Sequence, residues 1–144
     1  MTVGALLKDK GRNVISVETG TPLLEIAQII SSRRIGAVLV LHPDGGVVGI
    51  VSERDVVKAL AKHADKVVSL NAGDVMTAKV VTADPATSVD KAMEVMDQGY
   101  FRHLPVMENG KLAGIISIRD VVKYRLMLHE HDVDSLKAYI ARQV

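Results

Sequence analysis

The sequence predicts an α/β fold of two β-α-β-β-α repeats packed with pseudo-two-fold symmetry, and three observations carry that expectation. The first is internal repetition: Gly49-Ile-Val-Ser-Glu-Arg-Asp-Val-Val-Lys58 recurs as Gly114-Ile-Ile-Ser-Ile-Arg-Asp-Val-Val-Lys123, 65 residues on, with eight of ten positions identical. The second is that the match extends upstream at an offset of 66, pairing Val14-Ile-Ser-Val with Val80-Val-Thr-Ala, Thr21 with Thr87, Ile30 with Met96 and Val40 with Val106. The third is size. A chain of 144 residues holds one core or two half-sized units that share one, and a unit of about 60 residues buries too little of its surface to stand alone.

Each copy opens on a leader, Val3-Gly-Ala-Leu-Leu7 and Ala72-Gly-Asp-Val-Met76, and a short strand is expected at 14–17 and again at 80–83. Thr21-Pro22 and Thr87-Ser88 then place a hydroxyl N-cap before an amphipathic helix. In the second copy Val89, Ala92, Met93 and Met96 fall on one helical face. Two apolar runs follow, 36–41 with 47–51 and 103–107 with 112–116, around the turns His42-Pro-Asp-Gly-Gly46 and Glu108-Asn-Gly110, where Gly or Asn supplies positive φ. A second helix opens at Ser52 and at Ser117. The expected boundaries are 1–70 for the first repeat with its leader, 71–128 for the second, and 129–144 for a helical tail, with 65–73 as the joint.

Composition narrows the function classes. Apolar residues make up 48% and charged residues 24%, which is globular and excludes disorder and collagen. Eighteen basic and 17 acidic side chains leave a net charge of +1, too small a field to imply nucleic acid or an anionic membrane. Aromatics at 3% offer no stacking platform for single strands. The absence of cysteine removes disulfides, thiolate metal sites and a cysteine nucleophile together. No apolar run reaches the ~20 residues needed to span a bilayer, so a soluble cytoplasmic protein is expected. His129-Glu130-His131 has i, i+2 spacing, which points to different helix faces and is wrong for a metal. No phosphate-loop or dinucleotide fingerprint is present, and nothing suggests catalysis.

Ser52-Glu-Arg54-Asp55 and Ser117-Ile-Arg119-Asp120 each put a hydroxyl, a guanidinium and a carboxylate on the first turn of a helix. Unpaired N–H groups and the positive dipole end attract an anion there. The carboxylate repels a phosphate at contact distance and suits instead a ribose diol, whose two hydroxyls donate to it. A nucleotide satisfies both demands. The competing reading is plain capping, in which Ser takes an amide N–H and the carboxylate returns to the N-cap amide; the same residues can do both.

The order of elements, the repeated Gly-Ile-(Val/Ile)-Ser-x-Arg-Asp-Val-Val signature, and Arg102-His103-Leu104-Pro105-Val106 before the second hairpin resemble a tandem pair of CBS (cystathionine β-synthase) domains over about residues 3–128, of the free-standing bacterial type. Such a resemblance implies a regulatory module that binds AMP, ADP or ATP, or else NAD(H) or S-adenosylmethionine, in two clefts between the repeats. It assigns Asp55 and Asp120 to ribose, and Ser52 and Ser117 to the phosphate side. Arg102 and His103 become phosphate contacts, although a solvated loop pair remains the alternative. Their counterparts in the first copy are Gly36 and Ala37, so Arg33 or Arg34 would have to substitute there. Adenine is expected near Ile15-Ser16 and Val81-Thr82 with Ala37 or Pro105 opposite, positions that are otherwise ordinary core. Arg119 either narrows the second cleft or adds a phosphate contact.

The expected function is therefore reversible binding of an adenosine nucleotide, passed on to an unidentified partner protein. The alternative is a constitutive interaction or dimerisation module with vestigial clefts. Apolar helix stripes including Val56, Val57, Leu60, Val121 and Val122 predict a homodimer, with the tail from Tyr124 onward docking on it through Leu126, Leu136, Tyr139 and Ile140.

Overall fold

A computed structural model describes residues 1–143. The chain runs α1 (Val3–Lys10), β1 (Ser16–Glu18), α2 (Leu23–Arg33), β2 (Ala37–Leu41), β3 (Val47–Ser52), α3 (Glu53–His63), a 3₁₀ turn (Ala64–Ser69), α4 (Ala72–Val75), α5 (Val89–Gly99), β4 (His103–Glu108), β5 (Lys111–Ser117) and α6 (Ile118–Gln143). The expected α/β architecture is present in both copies. In α2 the buried residues are Leu23, Ile26 and Ile30, and in α5 Val89, Ala92 and Met96. The spacing i, i+3, i+7 is the same in each, so both helices lay an equivalent stripe on their sheets.

In the first copy β2 lies between a parallel β1 and an antiparallel β3. Covered on both edges and faces, β2 is the most apolar strand, with Ala37, Val38, Leu39 and Val40 all buried. Both hairpins slip register at matching places, Val40/Leu41 and Val106/Met107. Their turns use Gly45 at φ 92°, and Asn109 and Gly110 at 53° and 76°.

Two expectations need correction. Residues 80–83 form no strand; only Ala83 bridges Val106. The cause is Pro105. In the first copy the Leu39 N–H donates to the Ile15 carbonyl at 3.2 Å, but the residue equivalent to Leu39 is Pro105, which has no N–H to offer Val81. The ladder shrinks to the bonds on either side, Ala83 N–H to Pro105 at 2.9 Å and Met107 N–H to Ala83 at 2.8 Å. The first-copy hydroxyl cap is also absent. Pro22 is the N-cap of α2 and makes no side-chain bond, while the Thr21 hydroxyl accepts the Glu18 N–H at 3.2 Å. In the second copy Ser88 does cap, accepting the Lys91 N–H at 3.0 Å.

The leaders cross over. Val3, Leu6 and Leu7 of α1 complete the core formed by Val89, Met96, Leu104 and Ile116, whereas Ala72 of α4 joins that of Val17, Ile26, Val38 and Val51. Leu7 packs on Gly114, where a Cβ would come within 2.8 Å of it, and Met76 packs in the same way on Gly49. The backbone repeats the exchange: Val3 and Gly4 donate to Thr87 and Pro85 at 2.8 and 2.9 Å, and Ala72 and Gly73 to Thr21 and Thr19 at 2.8 and 2.9 Å. Each half is closed by a helix that the chain order attaches to the other.

The last helix, α6, is continuous for 26 residues. It covers the expected tail as far as Gln143; Val144 lies outside the described residues. Among the described residues no helix is long and apolar enough to cross a membrane.

Candidate functional site

Ser52 ends β3 and is the N-cap of α3. Its hydroxyl accepts the Asp55 N–H at 3.3 Å, while Asp55 Oδ2 accepts the Ser52 N–H at 2.9 Å and its hydroxyl at 3.1 Å. The other carboxylate oxygen, Oδ1, accepts the Thr77 hydroxyl at 3.3 Å. Thr77 is held there by a two-way backbone bridge with Ile50. Arg54 reaches across to the second half, its guanidinium donating to the Tyr100 carbonyl at 3.0 Å. Tyr100 ends α5 in the left-handed region at φ 58°, as Arg34 ends α2 at φ 53°.

The second cleft repeats the cap with a different third partner. Asp120 Oδ2 accepts the Ser117 N–H at 2.7 Å and hydroxyl at 3.0 Å, and the Ser117 oxygen takes the Asp120 N–H at 3.2 Å. Here the Lys10 ammonium, delivered by the exchanged α1, sits on Oδ2 at 2.7 Å and also donates to the Ile115 carbonyl at 2.6 Å. Partial burial pushes the Asp120 carboxyl up, but Lys10 and the Ser117 donors outweigh it and hold the group below the ordinary carboxylate range.

Between the clefts stands His103. A Cβ on Gly36 would lie 2.7 Å from its ring, so Gly36 is bare because the imidazole covers it. Burial is the main force lowering the His103 pKa, helped by the positive charges of Lys10 and Arg102 and opposed by Glu53 and Asp120. The lowered pKa favours the neutral imidazole.

The structure therefore brings Ser52, Arg54 and Asp55 together with Thr77 and Tyr100, and Ser117 and Asp120 together with Lys10 and His103. Arg102 is exposed at the mouth of β4, and Arg119 is exposed on the first turn of α6. Ala37 and Pro105 are buried in their hairpins opposite Ser52 and Ile115. Ile15 is half-buried with its carbonyl bonded to Leu39, whereas Ser16, Val81 and Thr82 are exposed. Arg34 lies elsewhere, in a groove of about 490 Å³ between α2 and α3 with Ile30, Ile35, Glu53 and Val57. Lys10 and Thr77 were not singled out from the sequence. Their only signal is position, one to three residues after the matched leaders.

Two equivalent Ser-x-x-Asp helix starts, one in each half of a pseudo-symmetric α/β pair, define a tandem module. The CBS domain family matches the chain twice, over residues 7–62 and 72–127, and the chain belongs to that family. Among solved structures it is similar to the CBS-domain containing protein ATU1752 from Agrobacterium tumefaciens, with 45% identity, a TM-score of 0.84, and coverage of 87% of this chain and 99% of that one. Two CBS pairs at 24% identity share the fold. The MJ0100 pair, in complex with 5-methylthioadenosine and S-adenosyl-L-methionine, has a TM-score of 0.77 and covers 90% of this chain and 98% of its own. CBSX2, in complex with AMP, has a TM-score of 0.73 and covers 89% and 98%.

Proposed function

We propose that this chain is a regulatory module that binds an adenosine nucleotide between its halves and signals the bound state to a partner protein. The observation that carries the proposal is the contact between the halves at the first helix start, where Arg54 beside Asp55 donates to the Tyr100 carbonyl and the His103 ring covers Gly36, so that a ligand on Asp55 lies where the two halves meet. The adenosine ligands of MJ0100 and CBSX2 support the ligand class. A ligand that bridges the halves shifts the module by its differential affinity for closed and open arrangements.

The first cleft is the primary site. Among the described residues Asp55 is engaged there only by neutral donors, so a ribose diol replaces the Thr77 hydroxyl without displacing a charge. Arg54 and Arg102 supply cations for phosphate. The Val81 carbonyl, lacking a Pro105 donor, is an open edge for the base amino group. AMP, ADP and ATP fit this chemistry, and NAD(H) and S-adenosylmethionine share its adenosine. Helix stripes including Val57, Leu60 and Val122, all exposed, support a homodimer. The alternative of a constitutive dimerisation module draws on Lys10, which already fills the second carboxylate.

Titration calorimetry of ligand-free protein with AMP and with adenosine tests the reading. Asp55→Ala should weaken both ligands by roughly 10- to 100-fold, the worth of hydrogen bonds to a charged group. Arg102→Ala should weaken AMP and spare adenosine. Unchanged affinity in both variants, or no binding by the parent protein, would leave Ser52 and Asp55 as a helix cap and favour the dimerisation module.

A further inference from the structure

Past Arg125 the last helix leaves the body of the protein. Every side chain from Arg125 to Ala141 is exposed, in a helix unbroken to Gln143. A stretch of this length without tertiary contacts is marginally helical in water, so its helicity depends on a surface it does not find within its own chain. Five of the eight large apolar side chains exposed on α6 form one line, with Met127, Leu128 and Tyr139 off it. Val122, Leu126, Val133, Leu136 and Ile140 follow a 3-4 repeat in which His129 fills the remaining place, and each of the five is at least 36% exposed. That spacing is the heptad of a coiled-coil seam. A line through Met127 and Leu128 fails as a rival, because it meets His131, Asp134 and Ser135 within two turns.

We infer that the α6 tails of two copies of this chain pair parallel and in register along this seam. Leu126, Val133 and Ile140 then occupy the a positions and Val122, His129 and Leu136 the d positions. Val133 and Ile140 at a with Leu136 at d are the combination that favours two parallel strands. The flanking charges choose the direction. In the parallel pair Arg125 faces Glu130 of the second copy, and Asp132 faces Lys137 of the second copy. Antiparallel pairing at full overlap sets Asp132 against Asp132 and Lys123 against Lys137. Arg125 also meets Asp90 of its own body, so Asp132 with Lys137 carries most of the polarity. The seam from Leu126 to Ile140 is about 22 Å long. The inference rests on the homodimer reading above, to which it adds a contact and a direction; the nucleotide reading stands apart from it.

The chain has no cysteine, so single-cysteine variants report the seam cleanly. Leu136→Cys and Ile140→Cys should each oxidise to a disulfide dimer. Ser135→Cys, one residue off the seam, should do so at least about tenfold more slowly, since paired thiols see an effective concentration near the millimolar range. Equal rates at 135 and 136, or no cross-link at 136 and 140, overturn the inference. Faster cross-linking in a mixture of Leu126→Cys and Leu136→Cys chains than in either alone marks antiparallel pairing and also overturns it. Light scattering separates the two readings. A dimer without seam cross-links sinks this inference and leaves the body helices as the interface, whereas a monomer sinks both.

Discussion

Asp55 and Asp120 occupy matching places in the two repeats, and each is held by the serine three residues before it, yet their third partners differ in charge. Asp55 receives a hydroxyl from Thr77 at 3.3 Å. Asp120 receives an ammonium from Lys10 at 2.7 Å, in a side chain only 16% exposed. Duplication has kept the helix starts and let the segments that follow the leaders diverge. Asp55 is thus bonded to neutral groups, while Asp120 carries a cation. The exchanged leaders are the source of the difference, because whatever follows α1 or α4 is delivered to the opposite half.

The sharpest way to break the comparison is through the leaders. Leu7 is fully buried and Met76 only partly so, although they meet equivalent glycines. Leu7→Ala should cost about 2–5 kcal/mol, and Met76→Ala clearly less, measured by urea unfolding. Equal losses would mean that the two exchanges close their cores equally well.

A smaller effect separates the two carboxylates. Lys10→Met leaves Asp120 half-buried without its cation and should lower stability by about 1–3 kcal/mol, whereas Thr77→Val should cost no more than about 1 kcal/mol. Nucleotide should respond only where the cation is removed. Occupancy of the second cleft, counted by calorimetry, should rise in Lys10→Met, while that of the first should be unchanged; a second cleft as empty as before would remove Lys10 as its gate.

The smallest effect is a pH dependence at the seam between the halves. Because the folded His103 pKa is lowered, mainly by burial, the unfolded chain binds the proton more readily than the folded one. Its contribution to stability is complete above the ordinary imidazole range and is lost as pH falls through that range toward the depressed value. His103→Gln should flatten melting temperature against pH over that interval. A slope as steep as the parent's would assign the effect to other groups.

Much of this architecture was legible in the residues themselves. The Gly49 and Gly114 decapeptides mark the equivalent β3–α3 and β5–α6 junctions, the turns at Gly45 and Asn109 have the positive φ that their types imply, and Ser52 and Ser117 are caps as the spacing suggests. The strand at 80–83 was misjudged because apolar alternation says nothing about the donor on the neighbouring strand, and that donor was lost to Pro105. The leader exchange was hidden for a different reason. A repeat identifies which residues are equivalent, but not whether each packs on its own copy or on the other. Lys10 escaped notice with it, since a lone lysine after an amphipathic segment looks like any solvated charge until Asp120, 110 residues away, comes into contact.

That long reach also governs how the protein is made. On the ribosome α1 emerges ahead of the surface that buries Val3, Leu6 and Leu7, which is complete only when residues near Val121 have been added. At 5–20 residues per second the wait is roughly 5–20 s, during which the first half can close only the core that α4 completes. Docking of a waiting α1 on the second half of a neighbouring nascent chain grows with the density of chains while the tethered event does not, so an α1-swapped dimer is the expected misassembly at high synthesis rates, and any factor that shields an amphipathic helix for those seconds raises the yield of correctly closed chains.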